Sequence, residues 1–286
     1  MRTLRALVLT AALLAATACG GGDSPMIAPS ATTATASAPA PTVTKPSLLP
    51  TPLTSRVVAG PTKGSEHHLV YLSDSSGWNV ANAYASLAEE ALGGRVRVTD
   101  WASGGLSIEA ATFQLGLAPE VVADADIVIG YGSPEGVSPG LSAVGNPCVY
   151  GDRSAPLPPG AEDWSPYESA LTEFYQQVWR LRQGKPTVVI AFDLYVPVIS
   201  EYRAAGTEQM CREYFEGFSG AIRRAATANG FTFVSVYDAL NGPLHDQDPR
   251  ALGYIGDDGV HTTDKGAQRI ARALAAAGFT WVTTTV

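Results

Sequence analysis

Apolar positions along this chain switch between a short extended period and a helical one. His68 to Leu72 is a brief apolar run ending at Ser73-Asp74-Ser75. From Asn79 to Leu92 the apolar residues Val80, Tyr84, Leu87, Ala88 and Ala91 recur at helical spacing, and Gly93-Gly94 stops them. Arg95 to Trp101 alternates through Val96 and Val98 as a strand does, and a shorter helix is expected from Ser107 to Leu117. A third strand runs from Asp126 to Gly130, and a Gly/Pro-rich stretch fills 132–165. Helical spacing returns from Tyr167 to Leu181, followed by a strand from Thr187 to Phe192. A helix from Thr207 to Ala228 closes at Asn229-Gly230, and a fifth strand spans Phe231 to Val236. Thr262 to Ala277 is the last helix, with Thr262 or Thr263 as N-cap and Asp264 in its positive first turn.

Strands alternating with helices of this length predict an α/β fold, a parallel sheet covered by helices on both faces. In such sheets a ligand site forms outside the carboxyl ends of the strands. Ser73–Ser75, Ser103–Gly105 and Gly130–Glu135 all follow strands at that edge. No internal repeat is evident, and 63–286 fits one domain of ordinary size.

Composition adds exclusions. With 286 residues, 45% hydrophobic and 16% charged, the chain is globular in character. Nineteen basic and 27 acidic residues leave a formal net charge of -8, which argues against a nucleic-acid partner. Three cysteines are too few for a disulfide-built scaffold and too scattered for a zinc ribbon. Cys148 and Cys211 are expected to pair in an oxidising compartment, tying the 132–165 stretch to the helix near 207. Two separate thiols are the alternative.

The first 62 residues read as address and tether. Residues 1–18 have the form of an export signal: Arg2 and Arg5, an apolar run from Ala6 to Ala16, then the small triplet Ala16-Thr17-Ala18. That triplet directly before Cys19 resembles a bacterial lipobox, in which the cysteine is lipidated and becomes the new N-terminus. An ordinary secretory signal cut at the same bond is the alternative, but it leaves Cys19 unexplained. Residues 19–62 are expected to be a disordered linker: Pro, Ala, Thr and Ser supply 23 of the 30 residues from Pro25 to Thr54. Losing Arg2 and Arg5 with the leader takes the net charge from -8 to -10. An acidic chain gains nothing from anionic headgroups, so membrane attachment would rest on the lipid alone.

The candidate chemistry lies at two ends of the domain. Asp258 and His261 are three residues apart just before the last helix. On a turn, that spacing lets the carboxylate reach its own histidine, setting the tautomer and stabilising the imidazolium. Such a base needs a nucleophile, and Ser75 sits on a tight strand-to-helix turn that exposes its hydroxyl. Trp78 and Trp101 could line an acyl pocket or pack in the core, and Tyr195 and Pro197 could border the site. His67 and His68 read as solvated or packing residues. His245 beside Asp246 and Asp248 reads as a polar turn, so no metal site is expected.

Ser73-Asp74-Ser75 after an apolar strand, with Asp258-Gly259-Val260-His261 near the C-terminus, resembles the SGNH (GDSL-type) hydrolases. The resemblance implies a three-layer α/β/α sandwich on a five-stranded parallel sheet, of flavodoxin-like type. It implies that Ser75 is the nucleophile, His261 the base and Asp258 its orienting acid. It also implies an oxyanion hole from the N–H groups of Ser75 and Gly105, the latter from Asp100-x-Ala102-x-x-Gly105, with Gly104 one register away. The family's third block, Gly-x-Asn, has no Asn here. The chain reads Gly130-Tyr131-Gly132-Ser133-Pro134-Glu135, and Ser133 is the residue able to donate, through hydroxyl or backbone N–H. The implied activity is cofactor-free hydrolysis of a carbohydrate, lipid or small ester. An envelope acyltransferase with the same triad, or a non-catalytic binding lipoprotein, are the alternatives. Oligomeric state is not implied.

Overall fold

The computed structural model describes residues 54–60, 64–134, 137, 145–149 and 151–285. The export signal, Cys19 and the linker up to residue 53 lie outside the described residues. Strand β1 (Thr54–Val57) comes first, then β2 (His67–Leu72), a 3₁₀ turn (Ser75–Gly77) and helix α1 (Val80–Leu92). Next come β3 (Val96–Asp100), α2 (Ile108–Leu117), α3 (Pro119–Ala123) and β4 (Ile127–Gly130). After the long loop follow α4 (Ser165–Arg182), β5 (Val188–Phe192), α5 (Ile199–Ala205), α6 (Glu208–Ala228) and β6 (Thr232–Val234). Helices α7 (Val236–Asn241) and α8 (Asp264–Ala276) precede β7 (Val282–Thr285).

The main sheet has order β3-β2-β4-β5-β6 and every neighbouring pair is parallel. Its central strands β2, β4 and β5 are buried along their whole length, as strands covered on both faces must be. Helix α1 packs on α8, and α8 on α7, while α2, α4 and α6 pack in series. The result is a three-layer α/β/α sandwich with five parallel strands, as expected. Among the described residues, no helix is long and apolar enough to cross a membrane.

One feature departs from the sequence reading. Thr54–Val57, counted within the 19–62 linker, instead pairs antiparallel with Val282–Thr285. This ribbon joins the start of β5 through paired Thr187 and Val282 backbone bonds at 2.8 and 2.9 Å. Neither four-residue segment has an apolar alternation of its own, so only the partner defines the strand. Of the two roles open to His67 and His68, packing is the one seen: both are buried. The His67 ring lies 5.9 Å from that of Trp281, and His68 Nε2 lies 2.8 Å from Thr99 Oγ1.

The carboxyl edge of β5 is held by one buried acid. Asp193 accepts from Ser219 Oγ at 2.6 Å, Ser235 Oγ at 3.0 Å and Tyr237 N–H at 2.9 Å, joining α6 and α7 to the sheet. Burial pushes its carboxyl up to about 6, against hydrogen bonds that pull it down. The folded chain thus holds this proton more firmly than the unfolded chain does, so acidification through that range does not weaken the hub. Asp193→Ala strands three donors, two of them buried, and is expected to cost about 3 kcal/mol or more in urea unfolding. A variant of wild-type stability would remove Asp193 from that role.

Cys148 and Cys211 form a disulfide across a separation of 63 residues, with Cα atoms 5.1 Å apart. Arg153 donates to the carbonyls of Pro147 and Val149 at 2.7 and 2.9 Å, and Tyr202 OH to that of Cys148 at 2.6 Å. The double variant Cys148→Ala/Cys211→Ala is expected to lose about 4 kcal/mol, the chain-entropy value for a loop of this length. Denaturant unfolding would check it, through a lower midpoint and an m-value that rises because the uncrosslinked denatured chain is less compact.

Candidate active site

The turn carrying Ser75 is built by its neighbours. Asp74 caps it, its carboxylate accepting from Ser76 N–H at 2.9 Å and Ser76 Oγ at 2.5 Å, and from Tyr131 OH at 2.6 Å. Gly77 follows because a side chain there would meet Ser73 Oγ at 2.2 Å and Tyr71 OH at 2.4 Å. Ser75 is left half-buried at the carboxyl edge of β2. Its N–H and that of Gly105 have no partner within the fold among the described residues. Two vacant donors beside a hydroxyl are what an oxyanion site requires.

Asp258 and His261 are brought together as their spacing predicts. His261 Nδ1 lies 2.7 Å from Asp258 Oδ2, while Asp258 Oδ1 accepts from the N–H groups of Val260 and His261 at 2.9 and 3.0 Å. The Val260 N–H, the His261 ring and the His261 N–H together hold the Asp258 carboxyl down to about 2. It therefore stays ionised at any working pH. Tyr195 OH donates to the Val260 carbonyl at 2.8 Å and anchors the loop to the segment after β5. Thr263 caps α8 by accepting from Gly266 N–H at 3.2 Å.

A pocket of about 770 Å³, its open mouth included, reaches from Ser75 to Val260, the residue before His261, and neither Asp258 nor His261 is among its lining residues. Ser75, Gly105, Ser133 and Val260 border it, with Tyr195 and Pro197. Its walls are mostly apolar: Leu194, Val149, Tyr214, Phe215 and Phe218. The three α6 aromatics were missed as site residues, since their spacing reads simply as a core stripe. Gly105 lies on the pocket and Gly104 does not. Trp101 packs against the core rather than the pocket. No hydrogen bond joins Ser75 Oγ to the His261 ring among the described residues. Such bonds often tighten only around substrate.

In the third block one of the two donors expected of Ser133 is already engaged. The Ser133 N–H donates to the Leu106 carbonyl at 2.9 Å, and the Ser133 carbonyl accepts from Ile108 N–H at 3.0 Å. The Ser133 backbone N–H is therefore committed within the fold, although the residue lines the pocket. Gly132 has to be glycine, because a Cβ would come within 2.7 Å of Ile108 Cα. Pro134, which follows Ser133 in the chain, also lines the pocket and has no N–H or side-chain donor. His245 lies 2.7 Å from Asp238 and stacks on Tyr237, while Asp248 caps the turn at Arg250. Among the described residues, no group of three or more His, Cys, Asp or Glu is arranged to hold a metal ion.

No protein-family model and no curated protein matches the sequence. Solved structures do resemble the fold. A lipase from a goat rumen metagenome superposes with TM-score 0.56 at 18% identity, covering 75% of this chain and 98% of its own. An extracellular lipase from Streptomyces rimosus superposes with TM-score 0.51 at 14% identity, covering 74% of this chain and 100% of its own. With the sheet order and the motif-bearing turns at its carboxyl edge, the chain has the fold of the SGNH hydrolases.

Proposed function

We propose that this chain is an exported serine esterase that hydrolyses carboxylic esters through Ser75, His261 and Asp258. One observation carries the reading: Ser75 and Gly105, both with unpartnered N–H groups, share a pocket with Val260, next to the Asp258-bound His261. In this mechanism His261 Nε2 takes the Ser75 proton as Oγ attacks the ester carbonyl carbon. The N–H groups of Ser75 and Gly105, with the Ser133 hydroxyl, hold the oxyanion. His261 then gives the proton to the leaving alcohol, and water, activated by the same ring, releases the acid. The apolar walls from Leu194, Val149 and α6 suit an alkyl acyl group better than a charged one.

The export signal and the Cys19 lipobox belong to this proposal, with the enzyme tethered by lipid at the outer face of the cell membrane. The Cys148–Cys211 disulfide is compatible with that compartment. A fluorophosphonate probe tests the chemistry. It is expected to add one label, on the peptide containing Ser75, and aryl hexanoate is expected to be cleaved faster than aryl acetate. Pro134, a pocket residue without a donor, favours a second reading, a non-catalytic binding protein on this scaffold. Protein that stays unlabelled while still binding an alkyl ester would establish that reading and overturn the first.

A further inference from the structure

Trp78 has a place that neither its apolar character nor the pocket accounts for. It is 42% exposed, one of few large apolar side chains so open, and it lies outside both the buried core and the pocket lining. Its ring partner is His261: the centroids are 4.8 Å apart and the planes only 15° from parallel. The local chain delivers it there. The Trp78 N–H closes the Ser75 turn on the Ser75 carbonyl at 3.3 Å, and Asn79 at φ 66° then redirects the backbone into α1. The residue three after the serine thus reaches over the base that the serine needs.

Resting on the esterase reading above, we propose that Trp78 is a positioning residue for His261. Asp258 fixes the imidazole in its own plane through Nδ1, and the indole fixes it from one face. Together they restrict the ring's rotation and keep Nε2 turned toward Ser75. An indole face also attracts the imidazolium that forms when the ring takes the serine proton. The other charged or titratable groups near the loop are accounted for. Arg250 reaches the Asp257 carbonyl at 3.5 Å, Tyr195 holds Val260, and Asp74 across the pocket is engaged by Ser76 and Tyr131. Asp258 is the ionised group bonded to the ring.

The test compares wild type, Trp78→Leu and Trp78→Phe for hydrolysis of a short-chain aryl ester and for the rate of fluorophosphonate labelling, each across pH. In Trp78→Leu, kcat and the labelling rate are expected to fall about fivefold, with KM unchanged. The acid limb of its kcat/KM profile is expected to move about half a pH unit lower, because the imidazolium loses its aromatic face. Trp78→Phe keeps a ring there and is expected to stay within about twofold of wild type. Thermal unfolding of all three checks that the fold is retained. A Trp78→Leu enzyme with wild-type kcat and acid limb, or with its loss confined to KM, overturns the inference alone. Wild-type protein that neither takes the label nor cleaves ester overturns the esterase reading, and this inference with it.

Discussion

Ser75→Ala is expected to lower kcat/KM for a short-chain aryl ester by about 10⁴–10⁶-fold, the scale on which triad enzymes respond to loss of the nucleophile. The Ser75 hydroxyl makes no hydrogen bond within the fold among the described residues, and the turn is held by Asp74 and Gly77 instead. Stability is therefore expected to change little, so the loss is chemical. Intact-protein mass spectrometry after fluorophosphonate treatment should show the adduct in wild type and none in the variant. His261→Ala should leave the hydroxyl in place but without a base, so labelling becomes slow rather than absent. If Ser75→Ala retains ester turnover above one hundredth of wild type, a different residue is the nucleophile and the mechanism falls.

Pro134→Asn is expected to raise kcat by up to about 10²-fold, because it adds an amide donor beside the Ser133 hydroxyl, and one oxyanion donor is worth about 10²–10³. The wall position is already built. Gly132 brings the strand end against Ile108, Ser133 is locked by its two backbone bonds to Leu106 and Ile108, and Pro134 lines the pocket. Proline offers neither an N–H nor a side-chain donor, whereas asparagine restores both. The gain should be in kcat with KM little changed, since the donor acts on charge that develops in the transition state. Single-turnover acylation measured by stopped flow would separate it from product release. An unchanged acylation rate would mean that the Ser133 hydroxyl, or another group, already fills that corner of the oxyanion site.

Local pattern carried most of the architecture. The switch between strand and helix periods placed the five parallel strands and the helices α1, α2, α4, α6 and α8, because a buried strand and an amphipathic helix each declare themselves over a few residues. The short helices α3, α5 and α7 hold five to seven residues each, less than two helical turns, so no period could reveal them. The ribbon of Thr54–Val57 with Val282–Thr285 joins segments from opposite ends of the chain, and its stability comes from pairing that no local pattern encodes.

The site divides along the same line. Spacing alone determined the Asp258–His261 contact, since three residues on a turn bring a carboxylate to its own ring. The strand-to-helix turn likewise marked Ser75. Only the tertiary structure decided that Gly105 rather than Gly104 meets the pocket, and that Ser133 has its N–H committed to Leu106. The folded chain also turned Trp78 onto His261 and placed the α6 aromatics, Tyr214, Phe215 and Phe218, along the acyl side. Each of these contacts joins residues tens to nearly two hundred positions apart. Closing such distances depends on how the helices pack on the sheet, which follows from the whole buried surface rather than from any one segment.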